Sequence, residues 1–130
     1  MDRESDAPAA TARLIHRGDL FWLPPDPVRG SIPGAPHPHV VVQDDLFNHS
    51  RLGTVVVCAL TSNLARAAEP GNLLLDPNEG GLARQSVVVV SQLSCVYKAR
   101  LGEHIGRLSA QRVEQILAGL RFVQAAFQRR

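Results

Sequence analysis

The sequence predicts a small, mainly β fold, a curled sheet or open barrel, capped by one C-terminal helix. Three observations carry this expectation. At least five short runs are rich in β-branched residues, few segments show helical spacing, and the last stretch places apolar residues on a helical stripe. With 130 residues, 45% of them hydrophobic and 20% charged, the chain has the size and composition of one globular domain that needs no metal or disulfide to hold its core. Residues 1–12 mix Ala, Pro, Ser and charges without apolar periodicity and read as a disordered tail, with a single domain over 13–130.

Taken in order, Arg17-Gly18-Asp19 turns into Leu20-Phe21-Trp22-Leu23, a first strand that Pro24 and Pro25 end. From Pro24 to Pro36 five prolines and two glycines exclude helix and leave an exposed loop, with Arg29 and Ser31 as candidate phosphate donors. Val40 to Gln43 is the second strand, and Asp44 caps a single helical turn over Asp45-Leu46-Phe47-Asn48. Thr54 to Leu60 is a buried strand that stops at Thr61-Ser62-Asn63. Asn72 to Asp76 reads as a further strand and Pro77 to Gly81 as a turn. Ser86 to Ser91, leading into Gln92 and Leu93, is the most β-like segment, and Leu101 to Leu108 is a short strand or extended connection. Ser109 caps the final helix, with Val113, Ile116, Leu117, Leu120, Val123 and Phe127 on its stripe. At about 100° per residue, Phe122 falls off that stripe, exposed or against a partner.

Composition narrows the function classes. No apolar run approaches the roughly 20 residues that span a bilayer, and the first residues lack the apolar core of a secretion signal, so no membrane role and a cytoplasmic location are expected. Cys58 and Cys95 stand among apolar residues with neither zinc nor disulfide spacing, and are read as two buried thiols. A net charge of +2 gives little long-range pull on nucleic acid, although 13 of the 14 basic residues are arginine, which grips phosphate in a planar, two-toothed way. An arginine-biased genome gives the same count.

Two places concentrate chemistry. Pro36-His37-Pro38-His39 runs into Val40-Val41-Val42-Gln43-Asp44-Asp45, so two imidazoles and two carboxylates bracket an apolar strand. Thr61-Ser62-Asn63 puts two hydroxyls and an amide at a strand end. On their own residues these stretches leave several readings open. His37 caps the start of a strand or acts as an acid or base, and Thr61 is an ordinary strand-end residue or a donor. His37 and His39 with Asp44 or Asp45 form an incomplete zinc set. His49 and His104 are expected to face solvent.

The order of the pieces is more specific than any one of them. Arg17-Gly18-Asp19 precedes an aromatic strand. Asp26-Pro27 comes with Arg29-Gly30-Ser31, and a Val-rich strand leads to Gln43-Asp44. Thr61-Ser62-Asn63 follows a second Val strand, Ser86-Val87 leads to Gln92-Leu93, and Leu101-Gly102-Glu103-His104-Ile105-Gly106-Arg107-Leu108-Ser109 closes the series. In this order, from about Arg17 to the final helix, the chain resembles the MazF/PemK toxin family. The resemblance implies an SH3-like small barrel shared with the CcdB toxins, a homodimer, and a sequence-specific endoribonuclease that needs no metal or other cofactor. The substrate implied is single-stranded RNA, mRNA in particular. Attack of the ribose 2′-hydroxyl would leave a 2′,3′-cyclic phosphate and a 5′-hydroxyl, and a cognate antitoxin would lay an acidic tail over the RNA groove.

The family carries its chemistry on an arginine before the proline that opens the second strand and on a threonine ending the third. The threonine matches Thr61, whereas the arginine position holds His37. Ser91 stands where a carboxylate is common, and Ile32 where a glutamate is common. An imidazole with an ordinary pKa near 6.5 moves protons at neutral pH far more readily than a guanidinium. The implied roles are therefore proton transfer by His37 and donation to a non-bridging oxygen by Thr61, the two catalytic candidates. Arg29, Ser31, His39, Ser62, Asn63 and Gln92 form the substrate-binding set, and His39 is a candidate second member of an acid–base pair if Pro38 leaves strand alternation intact. Two other functions stay open: a catalytically impaired barrel serving as a binding or regulatory module, and a CcdB-like topoisomerase poison.

Overall fold

The computed structural model describes residues 14–25 and 35–128. The expected tail and most of the proline-rich loop, with Arg29 and Ser31, lie outside the described residues. Among the described residues six strands form one antiparallel sheet: β1 (Asp19–Leu23), β2 (His37–Val41), β3 (Thr54–Thr61), β4 (Leu73–Leu74), β5 (Val87–Tyr97) and β6 (His104–Arg107), in the order β4-β5-β3-β2-β1-β6. A short helix α1 (Asp45–Asn48) follows β2, and the long helix α2 (Ala110–Gln128) closes the chain. Register shifts between Cys58 and Leu60 and between Leu20 and Phe21 curl the sheet toward a half-barrel.

Strand alternation divides the sheet into two faces. Even-numbered Leu20, Val40, Cys58, Leu60 and Val88 join Leu75, Leu82, Leu108 and Ile116 of the flanking segments in the main core. Odd-numbered Phe21, Leu23, Val41, Val55 and Val57 form a second cluster with Ile15 and Leu101. Each fully buried leucine or valine contributes about 1.5–3 kcal/mol. Both faces of the inner strands are covered, which explains why Val87 to Val90 reads as an unbroken apolar run.

The helix seats on the even face. Val113 and Ile116 are buried, and Leu117, Leu120 and Val123 half-buried, as the stripe predicts, while Phe122 is 48% exposed. The Phe127 side chain lies outside the description. The Arg112 amide donates to Ser109 Oγ at 3.2 Å, so Ser109 caps as expected. Gly119 permits the close approach, because a Cβ there would overlap the Gly71 carbonyl oxygen.

Arg17-Gly18-Asp19 is a structural clamp. Arg17 donates through Nε to the Val42 carbonyl at 2.9 Å and through its amide to Asp45 Oδ1 at 2.7 Å. Gly18 turns the chain at φ +96° against Val113. Asp19, only 1% exposed, accepts from Arg107 Nε at 2.8 Å, the His16 amide at 2.8 Å and His104 Nε2 at 3.1 Å. Burial pushes its carboxyl up, but these bonds outweigh burial and hold it below the usual carboxylate range.

Several expectations need correcting. His104 does not face solvent: it is half-buried on Asp19 and stacks edge-on to Phe21. β2 begins at His37 rather than Val40 and ends at Val41. β4 is only Leu73–Leu74, because Leu75 turns into the core and its amide bonds the Ser86 carbonyl. β5 continues well past Ser91, to Tyr97. Cys58 is buried, donates to the Val89 carbonyl at 3.0 Å and has its thiol pushed up to about 12 by burial, whereas Cys95 is exposed.

Candidate active site

The odd face of the sheet opens, beyond its small core, into a groove of roughly 1090 Å³. Its floor is built from the start of β2, the end of β3 and the outer half of β5. Pro38 sits within β2 without disrupting it. Opposite Pro38, Trp22 directs its amide to the Glu103 carbonyl and accepts from the Gly102 amide, so neither group seeks a partner on β2. Alternation therefore survives, and His37 and His39 both line the groove.

β3 supplies Thr61. β3 pairs with β2 as far as His39↔Ala59, and Ala59 and Thr61 line the groove with the two histidines. Thr61 Oγ1 accepts from the Asn63 amide at 3.2 Å, and Asn63 Oδ1 from the Ala65 amide at 3.2 Å. These bonds start a 3₁₀ turn over Leu64–Ala68 that carries Arg66 to the groove wall. There Arg66 donates from Nε and Nη2 to the two Glu69 carboxylate oxygens, each at 3.0 Å, which orients its planar fork.

β5 changes character at Ser91. Val87 to Val90 are buried, and Ser91 to Cys95 are exposed and line the groove with Gln92 among them. Arg100, in a 3₁₀ turn over Lys98–Arg100, adds a second guanidinium. Among the described residues the groove contains two imidazoles, several hydroxyls and two guanidiniums, and no carboxylate. Such a surface accepts an anionic backbone and can move protons beside it.

Of the sequence-derived set, the structure brings His37, His39, Thr61 and Gln92 together. Ser62 is absent from the groove lining. One residue on from Thr61, it points to the even face and lines a second cavity of roughly 540 Å³ with Trp22, His104 and His37, which borders both cavities. Asn63 is spent on capping its turn. The zinc set does not assemble: Asp44 Oδ1 caps α1 at the Leu46 amide, and Asp45 Oδ1 takes the Arg17 amide and Asn48 Nδ2. Among the described residues no group of three or more His, Cys, Asp or Glu is placed to hold a metal. Sequence reasoning missed Arg66 and Arg100, which carry no local motif. Period-two counting from Thr61 was the signal that separates it from Ser62.

The chain matches the family described as PemK-like, MazF-like toxin of type II toxin-antitoxin system over residues 16–123. It is 37% identical over 110 residues to endoribonuclease MazF6 of Mycobacterium tuberculosis, covering 85% of this chain and 96% of that one. It is 29% identical over 103 residues to endoribonuclease EndoA of Bacillus subtilis, covering 79% and 88%. Two solved structures share the fold. A mycobacterial endoribonuclease in complex with its cognate antitoxin superposes with TM-score 0.68 at 19% identity, covering 85% of this chain and 95% of that one. A MazE–MazF structure from Deinococcus radiodurans superposes with TM-score 0.69 at 21% identity, covering 87% and 97%. The motif order, the half-barrel and the family match agree, and the chain belongs to the PemK-like, MazF-like toxin family of type II toxin–antitoxin systems.

Proposed function

We propose that this protein is a metal-independent endoribonuclease that cuts single-stranded mRNA in the cytoplasm by sequence-specific transesterification. The observation that carries the reading is the convergence of His37, His39, Thr61 and Gln92 on one groove flanked by Arg66 and Arg100. Its relatives from Mycobacterium tuberculosis and Bacillus subtilis are endoribonucleases by name.

The reaction needs a base for the 2′-hydroxyl, an acid for the departing 5′-oxygen and donors for a phosphorane that gains negative charge. The two imidazoles supply the proton transfers. The Thr61 hydroxyl donates to a non-bridging oxygen, and the two arginines compensate phosphate charge that the family's missing arginine would otherwise meet. Gln92 contacts a flanking base. Arg29 and Ser31 remain candidates for phosphate contact on the loop between β1 and β2. Products are a 2′,3′-cyclic phosphate and a 5′-hydroxyl. A cognate antitoxin neutralises the protein by covering the groove, and the working form is a homodimer.

Incubating the purified protein with mixed-sequence RNA in EDTA and mapping the ends tests the reading. Cuts with 5′-hydroxyl termini that disappear in Thr61→Ala support it, and recovery of lost activity by added zinc would overturn the metal-independent part. The histidine at the arginine position favours one second reading, an impaired barrel that binds without cutting, and intact RNA at high protein concentration would select it.

A further inference from the structure

We propose that His39 is the general base of the cleavage step and His37 its general acid, an order fixed by the hydrogen bond that joins them. The assignment rests on the ribonuclease reading above. His39 Nδ1 lies 3.0 Å from the His37 carbonyl oxygen. A carbonyl only accepts, so Nδ1 carries hydrogen and donates it. In the neutral ring the outer nitrogen, Nε2, is left with the lone pair, on a residue that lines the groove. The backbone of one histidine thus sets the tautomer of the other, as second-sphere carbonyls do for catalytic and metal-bound imidazoles.

The surroundings keep that lone pair free. Burial lowers the His39 pKa below its ordinary value; the carbonyl bond opposes the shift, and charge on His37 reinforces it. The other charged or titratable groups in the described groove are His37 on the same strand, Arg66 and Arg100 on the flanking turns, and Cys95 and Tyr97 on β5. β1 contributes only Leu23. No carboxylate among them favours an imidazolium at His39. The proton donor is then the groove's other imidazole, His37, exposed at the start of β2 and lining the groove with Thr61.

The step balances. His39 Nε2 takes the 2′-hydroxyl proton as the O2′–P bond forms. The P–O5′ bond breaks, and O5′ takes a proton from the His37 imidazolium. One proton is gained and one lost by the pair, and exchange with water restores both. Thr61, on the neighbouring strand β3, holds a non-bridging oxygen throughout.

The test uses mixed-sequence single-stranded RNA in EDTA, with wild-type rates followed between about pH 5 and 8, where imidazoles titrate. Wild-type protein that never cuts overturns the ribonuclease reading and this assignment with it. Given wild-type cutting, His39→Gln and His37→Gln should each slow cleavage by about 10²–10⁴-fold, and only His39→Gln should abolish the rise of rate with pH. RNA with a sulfur in place of the bridging 5′-oxygen separates the roles, since thiolate departs without a proton. His37→Gln should then return close to the wild-type rate and His39→Gln should stay slow. The opposite pattern, or a rising limb that survives His39→Gln, overturns the assignment while leaving the ribonuclease reading intact. Because His39 is half-buried, circular dichroism must show His39→Gln folded. If it is not, long-range ¹H–¹⁵N correlation on the wild-type ring decides: the Nδ1–H tautomer supports the proposal, and the Nε2–H tautomer overturns it.

Discussion

The two faces of the sheet are made by the same strands and do different work. On the even face Leu20, Val40, Cys58 and Leu60 are buried in one cluster with Ile116 of α2, and the polar residues at its margin, such as Ser86, serve the fold. On the odd face the core is smaller, and past Val57 and Leu23 the same alternation presents Ala59, Thr61, His37 and His39 to an open groove. The difference teaches that a single residue step decides between structure and chemistry. Thr61 and Ser62 carry the same functional group, yet they belong to separate cavities.

Removing the hydroxyl from each face in turn separates their roles. Thr61→Ala should lower RNA cleavage by about 10²–10³-fold, the range for losing one donor to a charged transition state, with Thr61→Ser restoring most of the rate. Ser62→Ala should stay within about twofold, since stability changes of exposed residues rarely exceed about 0.5 kcal/mol. Equal losses from both would show that the groove is not the seat of reaction.

A second, smaller effect separates stability from activity. Asp19→Ala should cost about 2–4 kcal/mol in urea unfolding at neutral pH, toward the lower part because Arg107 is half-exposed and can turn to water. The Asp19 carboxyl has a lowered pKa in the fold, so the unfolded chain takes the proton first as pH falls. The stabilisation is complete above the ordinary carboxylate range and is lost as pH drops through the folded value. Wild-type protein should therefore lose stability below about pH 4 more steeply than the variant, as read from melting temperatures across that range.

The smallest effect tests the groove wall. Arg66→Ala should weaken RNA binding by less than about tenfold and reduce the slope of log affinity against log salt by about one. An unchanged slope would show that the guanidinium stays with Glu69 and meets no phosphate.

Much of the fold was legible because its signals are local and redundant. The Val-rich strands, the Asp44 cap of α1, the Ser109 cap and the α2 stripe follow from patterning and capping chemistry that tertiary contacts reinforce. The strand limits were less legible. β2 reaches back to His37 only because Trp22 turns its backbone toward residues 102–103, a pairing that no local pattern encodes. Of the site, His37, His39, Thr61 and Gln92 were accessible from motif order, and their common face is alternation. Arg66 and Arg100 were not, since each is delivered by a 3₁₀ turn whose direction depends on neighbouring hydrogen bonds. His104 was misread for the same reason: its partner, Asp19, lies 85 residues away in sequence.

The contrast between the two cysteines has a practical consequence. Cys58 lies in the main core with its thiol pushed up to about 12, while Cys95 is exposed in the stretch of β5 that borders the groove. A maleimide or disulfide reagent added to the folded protein should therefore attach at one position and stop, giving one label per chain until the core opens. The native sequence thus carries its own attachment point for a fluorophore beside the groove, and a second equivalent of label becomes a direct count of molecules that have unfolded.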